Sequence, residues 1–187
     1  MVKKNACIFI SGYGSNLSSL IHNSRNHSFP INISLVICNN VNAKGILHAK
    51  KNSIPYLIIN TKKRNFENIA LKEIKKHKIS LICLAGYMKI ISKRFIKNYG
   101  KKIINIHPSL LPKFKGLNTF ERVLKNGEKK TGCTVHFVNE KLDNGKTIIK
   151  KSFFINKNDS VKILKEKTQK LEYKAFSEAI IKMYRYN

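Results

Sequence analysis

The chain has 187 residues, of which 42% are hydrophobic, and it carries 37 Lys and Arg against 10 Asp and Glu, a formal net charge of +27. This length accommodates one domain with a full core and is short for two. No run of about 18 apolar residues occurs, which excludes a membrane-spanning helix. The N-terminal residues do not resemble a signal peptide, so a cytoplasmic location is expected.

The positive charge is spread along the whole chain rather than collected in one arm. Few of the basic residues are arginine, and aromatic residues are not interleaved with them. Nucleic-acid binding is therefore not expected, and the abundance of Lys, Asn and Ile is what AT-rich coding produces. A basic surface would still favour encounters with small anionic substrates.

Apolar runs alternate with amphipathic stretches, a pattern that predicts βαβ units and a parallel sheet. The expected strands cover 6–11, 31–38, 55–59, 80–85, 101–107, 131–138 and 148–155. The expected helices cover 15–26, 43–51, 66–77 and a final stretch from Asp159 or Ser160 to about Tyr184. We predict a single-domain α/β fold of Rossmann-like type over 1–187, with a mostly parallel seven-stranded sheet and helices on both faces.

The four cysteines lie in apolar, strand-like runs, and no two of them have the spacing of metal ligands. We expect small buried hydrophobic residues in a reducing compartment, and no metal. The residues are Cys7, Cys38, Cys83 and Cys133.

Asn105 and His107 end an apolar run and are followed by two prolines. Residues two apart on a strand share a face, so an amide and an imidazole are predicted side by side. In an open parallel sheet, ligands bind beyond the carboxyl ends of the strands, where this pair would lie. The alternative for His107 is a structural histidine.

His136, inside an apolar run, is expected to be structural or to support the site. A cis peptide is predicted at Leu111-Pro112.

Two loops also carry groups that can contact a ligand. The segment 11–16 joins the first strand to the first helix and contains Gly12 and Gly14, so it is either a phosphate cradle or an ordinary tight turn. Asp143 precedes Asn144-Gly145 and is either a site residue or a turn-forming aspartate.

Five segments in this order resemble the phosphoribosylglycinamide formyltransferase family over nearly the whole chain: ISGYGSNL, LAGYMKIIS, INIHPSLLPKFKGL, TGCTVHFV and KLDNGKTII. The resemblance implies formyl transfer from 10-formyltetrahydrofolate to the amine of 5-phosphoribosylglycinamide (glycinamide ribonucleotide) in purine biosynthesis, without a metal. It implies a phosphate-binding half over 1–100 and a catalytic and folate-binding half over 101–187. It further implies a monomer or homodimer with no nucleic-acid or membrane partner.

The resemblance also assigns individual residues. It implies that Asn105, His107 and Asp143 are the catalytic residues. Asn105 and a protonated His107 would donate hydrogen bonds to the developing oxyanion. Asp143 would favour the imidazolium form of His107 and assist proton transfer. The residues implied to bind the substrate phosphate and glycinamide are Gly14, Ser15, Asn16 and Glu172. The residues implied to contact the folate are Lys63, Arg64, Met88, Lys89, Ile90, Ile91, Glu140, Lys141 and Leu142.

The chain departs from the family pattern at Asn118, Phe120, Lys146 and Tyr173, which bears on substrate positioning rather than on the reaction class. Two alternatives are methionyl-tRNA formyltransferase and formyltetrahydrofolate hydrolase, which share the formyl-folate chemistry. Proteins of both kinds are longer and carry an added domain. A nucleic-acid-binding protein is the alternative from another class. It would explain the charge but not the combination of Asn105, His107 and Asp143.

Overall fold

The computed structural model describes residues 2–61 and 65–185, and within these ranges it contains seven strands and six helices. The strands are β1 (Lys4–Ile10), β2 (Ile31–Cys38), β3 (Tyr56–Ile58), β4 (Leu81–Leu84), β5 (Lys102–His107), β6 (Lys130–Phe137) and β7 (Thr147–Phe154). The helices are α1 (Ser15–Ser24), α2 (Ile46–Lys51), α3 (Phe66–Lys76), α4 (Lys93–Tyr99), α5 (Thr119–Lys125) and α6 (Val161–Tyr184).

The strands form one sheet in the order β3-β2-β1-β4-β5-β6-β7. The predicted α/β fold with a mostly parallel seven-stranded sheet is therefore confirmed. The chain divides into two compact units, Met1–Ile104 and Asn105–Asn187. The single domain expected from the sequence stays a prediction, and the two units are described in turn.

In the first unit, β1 pairs in parallel with both β2 and β4, and β2 pairs in parallel with β3. The four residues of β4 and the last five of β1 are all buried. Parallel strands covered on both faces have such continuous apolar runs, which is why the sequence pattern identified them. Cys7, Cys38 and Cys83 are buried in these strands, as predicted.

Helix α4 was not predicted from the sequence, although both of its ends carry recognisable signals. The Ser92 hydroxyl accepts a hydrogen bond from the Phe95 N–H at 3.0 Å, which satisfies a donor of the first turn. Gly100 follows the last turn with φ of 63°, a left-handed conformation that favours glycine. Because α4 has only seven residues, its apolar periodicity is too short to recognise alone.

In the second unit, β6 and β7 form an antiparallel pair, and the connection between them contains Asp143 and Gly145. The register shifts between Val135 and His136, which lie opposite Ile149 and Thr147 respectively. Such a bulge bends the strand and redirects the side chains beside it. The bulge therefore lies next to His136, which was expected from the sequence to be structural or to support the site.

Helix α6 packs on this pair and begins where the sequence predicted. Ser160 is its N-cap, and its hydroxyl accepts a hydrogen bond from Ile163 N–H at 3.4 Å. Asp159 instead binds Lys167, with Nζ–oxygen distances of 2.7 Å. The buried residues of α6 are Leu164, Thr168, Ala175, Phe176, Ala179 and Ile180.

No helix in the described part of the chain is both long and apolar enough to cross a bilayer.

Lysine ammonium groups hydrogen-bond to main-chain carbonyls in both units. With 10 acidic residues for 37 basic ones, carboxylate partners are scarce. Main-chain carbonyl oxygens in loops, strands and a helix end supply the acceptors instead. Such bonds link Lys3 to Ser24 and Asn26, Lys101 to Ile79, Lys150 to Leu111 and Lys182 to Ile148.

Candidate active site

The end of β5 places Asn105 and His107 beside the carboxylate of Asp143. His107 and Asp143 are 5% and 8% exposed. Asp143 Oδ2 lies 3.3 Å from His107 Nδ1, and Asp143 Oδ1 lies 3.4 Å from Asn105 Nδ2. Asp143 has φ of 45°, in the left-handed region that aspartate adopts more readily than most residues. The structure thus brings together the three residues that the sequence assigned to catalysis.

His136 contacts this group from β6. Its Nδ1 lies 2.9 Å from the Phe137 carbonyl oxygen, which can only accept, so Nδ1 carries a proton and donates. In the neutral ring, Nε2 then accepts, and Asn105 Nδ2 lies 3.2 Å from it. The separation of His136 Nε2 and Asp143 Oδ1 is 3.6 Å, too long for a hydrogen bond. His136 therefore orients the Asn105 amide, a role consistent with the supporting position expected for it.

The Asn105 amide has one stable orientation. Its two N–H groups face His136 Nε2 at 3.2 Å and Asp143 Oδ1 at 3.4 Å. Turning the amide over would set its carbonyl oxygen against the carboxylate, an arrangement of two acceptors. The contact with Asp143 is the longer of the two, near the outer limit of hydrogen-bond distance.

The environment of His107 favours the neutral imidazole. Burial lowers the pKa of His107 below its ordinary value and outweighs both the Phe114 carbonyl and the Asp143 carboxylate, which raise it. His136 and Arg122 lower the pKa of His107 further. The sequence led us to expect an imidazolium. The attraction to Asp143 exists as expected, but removal of the ring from water has the larger effect.

Asp143 is an ionised carboxylate at neutral pH. Burial alone would raise the pKa of this carboxyl, yet the approach of His136, a hydrogen bond from Gly116 N–H and attraction to His107 together bring the pKa below its ordinary value. The Gly116 nitrogen lies 2.9 Å from Asp143 Oδ2. Asp143 is thus an anion beside His107, and each ring nitrogen of His107 lies near an acceptor: Nδ1 near this carboxylate and Nε2 near the Phe114 carbonyl oxygen.

The segment that follows β5 turns back over His107. His107 Nε2 lies 2.8 Å from the Phe114 carbonyl oxygen, so Nε2 donates. Phe114 has φ of 57°, a left-handed conformation that is uncommon for a bulky residue. The Leu111-Pro112 peptide is cis, as predicted. The sequence did not indicate Phe114 or Gly116, because contacts through main-chain atoms leave no side-chain signal.

In the first unit, the loop 11–16 has the close backbone approach that its glycines suggested. Gly14 precedes α1 with φ of 73°, and a Cβ there would lie 2.7 Å from the Cα of Gly45. Gly45 N–H in turn donates to Gly12 O at 2.9 Å. The N-cap of α1 is Gly14, which has no side chain to cap the first turn, and the start of a helix is where main-chain amides can face an anion. The contribution of Gly45 was not foreseen.

The other predicted ligand residues lie at different degrees of exposure. After β4, Met88 and Ile90 are 67% and 75% exposed, whereas Ile91 is buried. Glu172, on α6, is half-buried. Its carboxylate raises the pKa of the Cys133 thiol, and only burial of that thiol raises the pKa more. Lys89, Glu140, Lys141 and Leu142 are exposed. Lys63 and Arg64 lie outside the described residues.

Among the side chains in the two described ranges, no group of three or more His, Cys, Asp or Glu could hold a metal ion. The group around Asp143 combines two imidazoles, one amide and one carboxylate. This set can donate hydrogen bonds to a developing anion and accept a proton, the requirements of acyl transfer to an amine.

The formyl transferase family matches residues 4–180. The chain belongs to this family. It is 36% identical to phosphoribosylglycinamide formyltransferase of Haemophilus influenzae, over 92% of this chain and 84% of that protein. It is 37% identical to the trifunctional purine biosynthetic protein adenosine-3 of Gallus gallus, over 95% of this chain but 18% of that protein. The chain therefore spans less than a fifth of the length of such relatives.

A solved structure of this formyl transferase family shows the same fold. The phosphoribosylglycinamide formyltransferase from Brucella melitensis superposes with a TM-score of 0.92 at 36% identity, covering 97% of this chain and 96% of that chain. The resemblance identified from the sequence motifs is thereby confirmed.

Proposed function

We propose that the chain transfers the formyl group of 10-formyltetrahydrofolate to the primary amine of 5-phosphoribosylglycinamide. The observation that carries the proposal is the convergence of Asn105, His107 and Asp143, with Asp143 Oδ2 at 3.3 Å from His107 Nδ1 and Oδ1 at 3.4 Å from Asn105 Nδ2. Membership of the formyl transferase family supports the reaction class, and the names of the relatives described above support the acceptor.

In the proposed reaction, the acceptor amine attacks the formyl carbon and a new carbon–nitrogen bond forms. Negative charge develops on the formyl oxygen. An N–H of Asn105 exchanges its 3.4 Å contact with Asp143 for this oxygen. One such donor contributes about 3 kcal/mol to the stability of the transition state. His136 holds the other N–H and so keeps the amide in the orientation that donates.

The proton of the attacking amine passes to His107, directly or through a water molecule. The neutral ring favoured by burial can accept this proton, and the neighbouring Asp143 carboxylate stabilises the imidazolium that results. The proton then moves to the folate nitrogen as its bond to the formyl carbon breaks. The products are the formylated amine and tetrahydrofolate, so one proton leaves the acceptor and one reaches the departing nitrogen.

We further propose that Gly14, Ser15 and Asn16 bind the substrate phosphate through the amides at the start of α1, and that Glu172 contacts the glycinamide portion. The folate would contact Met88 to Ile91 and Glu140 to Leu142, with Lys63 or Arg64 near its anionic tail. Main-chain contacts in these segments would leave the exposed side chains free to vary.

The test is a spectrophotometric assay with 10-formyl-5,8-dideazafolate as donor and glycinamide ribonucleotide as acceptor. We expect turnover that requires both compounds and falls by about 100-fold or more in His107→Asn and Asp143→Asn. His22→Asn, an exposed histidine on α1, is the matched control and should retain the wild-type rate.

Turnover without the acceptor would replace the proposal with hydrolysis of the formyl donor. Wild-type protein that is folded by circular dichroism yet inactive with this acceptor would overturn the proposal. Wild-type rates in both His107→Asn and Asp143→Asn would overturn the assignment of these residues.

A further inference from the structure

Strands β1 and β4 pair in parallel, and the loops that leave their ends are joined by one further hydrogen bond. The pairing ends where Ala85 N–H donates to Phe9 O at 2.9 Å. Beyond it, Met88 N–H donates to the hydroxyl oxygen of Ser11 at 2.8 Å. Ser11 begins the loop 11–16, and Met88 lies in the segment 86–91 after β4. Ser11 therefore connects the loop to the segment.

The main chain around Ser11 is itself held from outside the loop. Asn40 Nδ2, from the stretch after β2, donates to Ser11 O at 3.1 Å. The next carbonyl, Gly12 O, accepts from Gly45 N–H at 2.9 Å. Because two neighbouring carbonyls are fixed in this way, the Ser11 hydroxyl has a defined position from which to accept the bond of Met88. A displacement of the loop 11–16 would alter that bond.

The segment 86–91 contains no helix or strand, so its conformation depends on a few contacts. Just after the segment, Ser92 binds the Glu67 carboxylate through its N–H at 3.1 Å and its hydroxyl at 2.5 Å. Inside it, Met88 is 67% exposed and is anchored through its N–H to Ser11. Exposed main chain loses conformational entropy when a ligand orders it, and the bond to Ser11 restricts that freedom in advance.

We propose that Ser11 is a positioning residue that couples the two ligand sites: through its bond to Met88, an anion bound at the loop 11–16 fixes the segment 86–91 in the form that contacts the donor. This inference rests on the function proposed above, in which the loop binds the acceptor phosphate and the segment contacts the folate. The bond joins two groups of the protein, so Ser11 can act without touching either ligand.

The proposed coupling is positive and reciprocal. A ligand that orders the loop 11–16 lowers the conformational entropy that the segment 86–91 still has to lose when the second ligand binds. Thermodynamic linkage then requires the donor to strengthen binding of the acceptor by the same factor. Formyl transfer needs both ligands at once, so this coupling favours the complete complex over complexes with one ligand.

The first experiment measures binding without turnover. Isothermal titration calorimetry gives the Kd of 5,8-dideazafolate, which has no formyl group to transfer, with and without saturating glycinamide ribonucleotide. We expect the acceptor to lower this Kd about fivefold in the wild type, and to have almost no effect on it in Ser11→Ala. A merely structural role for Ser11 would weaken both ligands and leave the coupling factor unchanged.

Ser160→Ala is the matched control for this measurement. It also removes a hydroxyl that accepts a main-chain N–H, that of Ile163, but the hydroxyl lies at the start of α6 rather than between the loop 11–16 and the segment 86–91. This variant should keep the coupling factor of the wild type.

The second experiment observes Met88 directly. The chain has three methionines, so labelling with ¹⁵N-methionine leaves few amide signals, and Met88→Leu identifies the one that belongs to Met88. We expect glycinamide ribonucleotide alone to shift this signal in the wild type and to shift it much less in Ser11→Ala, where the hydrogen bond is gone. The amide of Met183, on α6, is the internal reference and should stay in place.

A coupling factor near one in the wild type would overturn the proposal, and so would a wild-type factor in Ser11→Ala. If Ser11→Ala fails to fold by circular dichroism, Ser11→Cys decides, because a thiol is a weak acceptor and should lower the factor. An unchanged factor in Ser11→Cys would then overturn the proposal. A Met88 signal that does not move when the acceptor binds to the wild type would also overturn it.

These results separate the role of Ser11 from the proposed function. Formyl transfer by a wild type that binds its two ligands independently would contradict only the role of Ser11. Coupled binding without formyl transfer would support the role of Ser11 and contradict the proposed reaction. If neither ligand binds, the proposed function and the coupling both fail.

Discussion

Asp143 Oδ2 lies 3.3 Å from His107 Nδ1, and both side chains are buried. The pKa of His107 and the pKa of Asp143 are both lowered in the folded protein, although one group is a base and the other an acid. The unfolded chain therefore binds more protons than the folded one at each of these positions as the pH falls. Both groups consequently make the folded state less stable in acid.

The first prediction concerns the pH range of this loss. The free energy of unfolding should begin to fall below about pH 6.5, where an unfolded histidine protonates, and fall further below about pH 4, where an unfolded aspartate does. His107→Asn should flatten the first part of the curve and Asp143→Asn the second. Urea unfolding at a series of pH values measures this. A His107→Asn curve with the wild-type slope between pH 5 and 6.5 would contradict the prediction, and His22→Asn serves as the exposed control.

The second prediction concerns Asn105→Asp, which is nearly isosteric. The new carboxylate would lie where Asn105 Nδ2 now approaches Asp143 Oδ1 at 3.4 Å, so the two acids would repel and one would retain a proton at neutral pH. The variant should lose the donor to the formyl oxygen and at least about 100-fold in kcat. Steady-state kinetics measures the loss, and Asn105→Ser, which keeps a shorter donor, should lose less. Equal rates in Asn105→Asp and wild type would remove Asn105 from the mechanism.

The sequence predicted the sheet and the central group because each left a direct signal. Buried parallel strands have continuous apolar runs, and the period of a strand placed Asn105 and His107 on one face. Helices α4 and α5 were missed because their sequences are mostly polar, with two buried residues in each. Gly45 was missed because its contacts depend on main-chain approach. The lowering of the His107 pKa by burial was not foreseen, because burial cannot be read from charges in a sequence.

A third prediction concerns Gly145, two residues after Asp143. A Cβ at this position would overlap the Phe137 carbonyl oxygen, a main-chain atom of β6 that cannot rotate away. Gly145→Ala should therefore lower the free energy of unfolding by about 3 kcal/mol or more, at the upper end of the usual cost of overpacking. Gly12→Ala is the control, because a Cβ there meets nothing within 4 Å. Similar urea midpoints for the two variants would show that the β6–β7 connection can adjust.

A fourth prediction concerns the four cysteines, all of which are buried thiols. Burial raises the pKa of Cys133 to about 12 and raises the pKa of Cys7, Cys38 and Cys83 as well. Since the thiolate is the reactive form, a disulfide reagent such as Ellman's should label the folded protein slowly and all four positions at once after unfolding. Rapid reaction of one thiol in the folded state would contradict the burial of that cysteine.

A fifth prediction follows from the formal net charge of +27. A basic surface attracts a phosphorylated acceptor and a folate with a glutamate tail, and salt screens this attraction beyond about 8 Å at physiological ionic strength. The kcat/KM for each ligand should fall as ionic strength rises, while kcat changes little. A kcat/KM that is constant from low to high salt would show that the charge plays no part in ligand encounter.

The lysine bonds to main-chain carbonyls have a practical consequence for work with this protein. Reagents that acylate amines, including common fluorescent labels, consume the ammonium groups that bind these carbonyls. Lys150, for example, binds the Leu111 carbonyl in the segment that follows β5. Amine labelling would therefore disturb the structure of the protein that the label is meant to report on. Because the thiols are buried as well, a cysteine introduced on an exposed helix face is the better attachment point.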